Sequence, residues 1–195
     1  STNQLNDSLP VPLPDNLADE ATLTDNGDGT LSFASVSAIP TFESIRFNKP
    51  VQTLTIRLGG DPGLPLFNQD TLTVTGVDLG TATLTIDGED GRDAVVFNGN
   101  VSAGAITVLA ESIDVNGSLS VAGDLVLTAS ASGDGTVPLA SQYLGFYLAN
   151  DASALIDLSG ATVSAGGAIT LSATATANVT ADPADLGPVA VAGVA

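Results

Sequence analysis

The chain has 195 residues, 44% of them hydrophobic, and carries 22 acidic against four basic side chains for a formal net charge of −18. That charge excludes nucleic-acid binding, which needs Lys and Arg against phosphate, and disfavours anionic membranes. With no Cys and no His there is no disulfide, no thiolate metal site and no imidazole base or zinc ligand. Two readings of the acidity are left and are compatible: solubility in salty water, and binding of hard cations, above all Ca²⁺, through carboxylate and carbonyl oxygens. The chain also lacks Met, at position 1 included, so it is expected to be a processed or excised piece of something longer. No apolar run reaches membrane-span length.

Residues 1–20 alternate Pro10, Pro12 and Pro14 with apolar residues. This predicts an extended, polyproline-like linker or docking arm, with Leu5, Leu9, Val11 and Leu13 seated on a neighbouring copy. Residues 21–195 are expected to form one β domain. Its first part reads strand, turn, strand, with Asp25-Asn-Gly-Asp-Gly as the turn. Two more strands are expected over 42–47 and 51–58, broken by Lys49-Pro50, and a loop over 59–66. Period-two alternation then predicts strands at 71–75, 81–86 and 94–97.

From residue 101 the chain repeats itself. Ser102-Ala-Gly-Ala-Ile-Thr-Val-Leu-Ala110 is echoed by Val121-Ala-Gly-Asp-Leu-Val-Leu-Thr-Ala129 and by Ala165-Gly-Gly-Ala-Ile-Thr-Leu-Ser-Ala173. A second phrase, Ile113-Asp-Val-Asn-Gly-Ser-Leu-Ser-Val121, is echoed by Ile156-Asp-Leu-Ser-Gly-Ala-Thr-Val-Ser164. Short strands repeating at this interval are the mark of a solenoid, whose units cannot bury their apolar faces alone, and Ile106, Val108, Leu125, Leu127, Ile169 and Leu171 are among the residues expected inside. Residues 132–152 interrupt the repeat and read as an inserted loop. Its aromatic group, Tyr143, Phe146 and Tyr147, is a candidate lateral contact between fibres. The chain ends on Val189, Val191 and Val194 in an apolar run, which calls for something to stack on it.

The repeating Gly-x-Ile/Leu-x-Leu/Val-x-Ala phrases resemble filamentous-haemagglutinin-type repeats. The stretch from Thr41-Phe-Glu-Ser-Ile-Arg-Phe47 through Leu54-Thr-Ile-Arg-Leu-Gly-Gly60 and Leu84-Thr-Ile-Asp-Gly88 to Gly91-Arg-Asp-Ala-Val-Val-Phe-Asn-Gly99 is similar to the giant repetitive surface proteins of Gram-negative bacteria. The resemblance covers about 41–131 and 153–181. It implies an all-β fold, a right-handed parallel β-helix (β-solenoid) with irregular N-terminal strands and a Pro-rich arm. It also implies an extracellular or cell-surface adhesin or matrix protein.

Within this stretch, Gly88-Glu-Asp-Gly-Arg-Asp-Ala-Val-Val96 resembles the calcium-binding nonapeptide at Gly88, Gly91, Asp93 and Val95, with Glu89 in place of the second glycine. The candidate metal ligands are therefore Asp25 and Asp28 in the first turn and Asp87, Asp90 and Asp93 here.

The expected function is mechanical, a β-solenoid unit of a bacterial surface fibre, adhesin stalk or matrix filament growing by end-to-end stacking. Its expected partner is itself, with extracellular glycans as a further one. A carbohydrate- or ice-binding module is the alternative, the latter because Thr71, Thr73 and Thr75, Thr81, Thr83 and Thr85, and Thr170, Thr174 and Thr176 alternate along strands. No enzyme is expected. A polysaccharide-cleaving site would have to combine aspartates with Arg57 or Arg92 and lacks aromatic platforms beyond Tyr143, Phe146 and Tyr147.

Overall fold

The structure is a computed structural model that describes residues 8–13, 18–38, 40–59, 69–89, 92–136 and 152–180, with backbone alone for 132–136 and 177–180. Every regular element among them is a strand. Among the described residues no helix is long and apolar enough to cross a membrane.

β1 (Ser8–Pro12) opens a first sheet. β2 (Glu20–Asp25), β3 (Thr30–Ser35) and β4 (Ile45–Asn48) form an antiparallel meander in a second sheet. The chain then alternates. β5 (Thr53–Arg57) pairs with β1, β6 (Thr71–Thr75) with β2, and β7 (Thr83–Asp87) with β5, all parallel. From there a three-part course begins, with a third sheet between the other two. β8 (Ala94–Asn98) lies in the second sheet, β9 (Asn100–Ala103) in the third and β10 (Ala105–Ala110) in the first. β11 (Ser112–Val115), β12 (Ser118–Val121) and β13 (Leu125–Thr136) follow the same order. β14 (Leu155–Asp157), β15 (Thr162–Ala165) and β16 (Ile169–Thr180) repeat it again.

Parallel neighbours cannot be joined by a hairpin, so each link must travel away and return. Here the travel is made by strands of the other sheets. The step is 18 positions between Ser118 and Asn100, whose side chains hydrogen-bond at 2.8 Å. It is 44 between Ala168 and Asp124, because the excursion after β13 intervenes.

Period-two alternation does the packing. In the first sheet Leu9, Leu54, Leu84, Ile106, Leu125 and Ile169 stand side by side, and Val11, Ile56, Ile86, Val108, Leu127 and Leu171 form a second column. In the second sheet Leu72, Val95, Ile113 and Ile156 do the same. Side chains from all three sheets join one apolar cluster. With Phe33, Phe97, Phe42 and Phe47 as its aromatic members among the described residues, branched aliphatics fill most of a narrow interior.

Three expectations need correction. Residues 8–13 are not an arm for a neighbour. They add a strand to the first sheet, and Val11 and Leu13 are buried in the chain's own core. The inserted loop does not start at residue 132. Gly133, Asp134 and Gly135 continue β13, because its partner β16 extends in register from Ala177 to Thr180 and the paired backbone outweighs their turn preference. Ile169 and Leu171, expected inside, are 49% and 46% exposed, because no described strand lies over β16.

Candidate functional site

Each parallel strand of the second sheet is entered through a corner, and four successive corners carry an acid: Asp19 before β2, Asp70 before β6, Asp93 before β8 and Glu111 before β11. The carbonyls of these four residues accept from Thr71, Ala94, Ser112 and Leu155, which continues the sheet ladder around the bend. Glu111 N–H also donates to the Asp93 carbonyl, whereas the N–H groups of Asp19, Asp70 and Asp93 each find their acceptor in the side chain of the next acid. Asp19 N–H donates to Asp70 Oδ1 at 2.7 Å, Asp70 N–H to Asp93 Oδ1 at 3.3 Å, and Asp93 N–H to Glu111 Oε2 at 2.6 Å. Asp19, Asp70 and Asp93 are at most 2% exposed. Buried carboxylates are costly unless hydrogen-bonded, and this column supplies bonds by accepting backbone donors that burial would otherwise strand.

Asp19 stands at the head of the column. The strand beyond it, β3, is antiparallel, so no further corner N–H is in place. Both Asp19 carboxylate oxygens are buried without a hydrogen-bond partner among the described residues. Burial pushes this carboxyl above its ordinary value, and the Thr41 hydroxyl opposes the shift without making a hydrogen bond that satisfies it.

The candidate calcium ligands lie apart. Asp25 and Asp28 flank the β2–β3 turn and each meets a base: Lys49 Nζ is 2.5 Å from Asp25 Oδ2, and Arg46 pairs with Asp28. Burial works to raise the Asp25 carboxyl, but Lys49 and the N–H groups of Gly27 and Asp78 outweigh it and hold it below the usual range. Asp87 closes β7 and accepts from Glu89 N–H. Asp93 belongs to the corner column, and Asp90 lies outside the described residues. Among those described, no three acidic groups converge to hold a metal ion.

The nonapeptide-like turn nonetheless has a reason for its glycine. A Cβ on Gly88 would lie 2.9 Å from Asp93 Oδ2 and 3.0 Å from the Leu109 carbonyl. Glu89, where the nonapeptide carries glycine, has φ 54°, a left-handed conformation that glycine adopts without cost.

The two ends of the stack differ. Leu13 N–H donates to Arg57 O, so odd-numbered amides of β1 face β5 and even-numbered positions face outward. The outward positions include Pro10 and Pro12, which have no N–H to offer a further strand. The second sheet closes at this end with the antiparallel β3–β4 pair. At the other end β14, β15 and β16 are edges, with Leu155 53% exposed.

Of the residues expected to mediate assembly, Leu9 packs partly against the core, while Leu5, Val189, Val191 and Val194 lie outside the described residues. So do Tyr143, Phe146 and Tyr147. Asp19, Asp70 and Glu111 went unnoticed in the sequence. The signal that marks them is an acid immediately before an alternating strand. Comparison with known protein families, with curated proteins and with solved structures finds no match to this chain.

Proposed function

We propose that the three-part course is a right-handed parallel β-helix, and that the chain is a structural unit of an extracellular bacterial fibre, adhesin stalk or matrix filament. The observation that carries the reading is the unbroken aliphatic column through six strands of the first sheet, matched by a second column beside it. Links between parallel strands of one sheet are right-handed in nearly all proteins, which gives the hand. Opening such a stack breaks backbone ladders and apolar columns together, so it suits load bearing. New strands add at the β14–β16 end, since Pro10, Pro12 and the β3–β4 pair close the other.

Atomic-force pulling on a tandem array of the chain tests this. A mechanical role predicts discrete unfolding peaks, one per copy. Smooth extension without peaks overturns it. The same pulling in calcium and in chelator separates a metal-braced stack from a self-sufficient one.

One observation favours the binding-module alternative. Thr53 and Thr55 lie beside Thr83 and Thr85, and Thr107 extends the second row, giving a regular hydroxyl grid on a parallel sheet face. Ice-crystal shaping and glycan-array binding test it, and loss of either signal in Thr55→Leu/Thr85→Leu assigns it to the grid.

A further inference from the structure

The head of the acid column holds a charge that no described base meets. Asp19 is 0% exposed, and neither of its carboxylate oxygens has a hydrogen-bond partner among the described residues. Lys49, Arg46 and Arg57 pair with Asp25, Asp28 and Glu89, and Arg92 is exposed. A lone buried carboxylate is among the costliest groups an interior can hold, so its presence calls for a positive partner.

Other oxygens gather at the same corner. Asp70 Oδ1 accepts the Asp19 N–H at 2.7 Å, and Asp70 is itself 1% exposed, so a second buried carboxylate stands beside the first. The segment after β3 folds back over the start of β2. Val36 N–H donates to Glu20 O at 2.8 Å, and Glu20 N–H to Ser37 Oγ at 3.1 Å. This return brings Thr41 to Asp19, where burial pushes the carboxyl up and the Thr41 hydroxyl opposes it. Ser35 Oγ holds Thr41 in place, accepting its N–H at 3.3 Å and lying 3.4 Å from its Oγ1.

The side-chain donors gathered here are carboxylate and hydroxyl oxygens, a set that suits a hard cation. Charge and burial narrow the choice. Two carboxylates match a divalent ion, and a corner closed to solvent needs an ion that sheds its water. Mg²⁺ dehydrates reluctantly and keeps several waters, whereas Ca²⁺ accepts flexible sets of protein oxygens.

We propose that Asp19, together with Asp70 and Thr41, forms a Ca²⁺ site at the head of the acid column. Asp19 is the principal ligand, Asp70 supplies the second negative charge and Thr41 Oγ1 a neutral oxygen. The site needs two acids rather than three, and it is separate from Asp25, Asp28 and Asp87. Bound there, the ion ties the segment after β3 to the first corner of the second sheet. The proposal does not depend on the fibre reading above.

Calorimetric titration of the full chain with CaCl₂, after removal of metal by chelator, tests it. The expected result is a Ca²⁺ site whose affinity falls about tenfold or more in Asp19→Asn and is unchanged in Asp28→Asn and Asp87→Asn. Thr41→Val keeps the side-chain shape without the hydroxyl and should weaken binding about threefold. MgCl₂ should bind the same site about tenfold more weakly or worse. Thermal melts separate loss of a ligand from loss of the fold. In chelator Asp19→Asn should melt no lower than the parent chain, and Ca²⁺ should raise the parent's midpoint but not the variant's.

No binding at millimolar Ca²⁺ overturns the proposal. So does binding that survives Asp19→Asn intact, or that disappears in Asp28→Asn or Asp87→Asn. An Asp19→Asn chain that melts lower than the parent in chelator makes Asp19 a structural residue and overturns it as well. Equal affinity for Mg²⁺ overturns the choice of ion.

Discussion

Asp19 N–H donates to Asp70 Oδ1 at 2.7 Å across 51 positions of sequence. The bond is one rung of a column in which each corner acid satisfies the backbone of the corner before it, continued by Asp93 and Glu111. The column spends charge to solve a geometric problem. A corner amide turned from the sheet needs an acceptor that the sheet itself does not provide.

Removing an acceptor should therefore cost more than removing a charge. Asp70→Ala strands the buried Asp19 N–H and should destabilise the chain by about 1–3 kcal/mol. Asp70→Asn keeps a carbonyl oxygen for that donor and should lose less than half as much. Urea unfolding of the two variants checks the order, and equal losses would mean that the carboxylate charge matters rather than the acceptor.

Asp19 should show the opposite pH behaviour from its neighbours. Its folded pKa lies above the ordinary 3.8, so the folded chain holds this proton more tightly than the unfolded one. Its contribution is full below the ordinary value and is lost as pH rises through the folded value. Asp25 and Asp78 are lowered, so their contributions are present above the ordinary value and lost as pH falls. Asp19→Asn should raise stability by about 1 kcal/mol at pH 7 and by little at pH 3. Thermal melts of both chains across that range decide it.

Pro10 and Pro12 should act as a barrier to association. Replacing both with Thr restores two outward N–H groups on an edge strand. The double variant should associate with rising concentration in sedimentation velocity, while the parent chain shows no change from this edge. A variant that behaves as the parent does would remove the prolines' role.

Depth in the stack should set the cost of a cavity. Leu84 is fully buried between Leu54 and Ile106, so Leu84→Ala should cost about 2–5 kcal/mol. Leu171→Ala, at a 46% exposed position, should cost under about 1 kcal/mol. Gly104→Ala should cost about 1–3 kcal/mol, because a Cβ there would lie 2.1 Å from the Thr81 carbonyl. Chemical denaturation ranks the three.

The sequence alone determined the period-two strands, the all-β class and the repeated phrases from residue 101, because alternation and glycine corners are local properties of a few adjacent residues. It also indicated the inward columns of β10 to β13, where Ile106, Val108, Leu125 and Leu127 are fully buried. Only the tertiary structure decided what depends on a distant partner. The Pro-rich stretch reads as a linker until Leu54 and Ile56 give Leu9 and Val11 a sheet to join. Gly133-Asp-Gly reads as a turn until residues 177–179 hold it extended. Asp19, Asp70 and Glu111 go unnoticed until parallel pairing stacks one corner on the next. Each such partner lies 18 or more positions away, and nothing local to a residue says which strand will lie beside it.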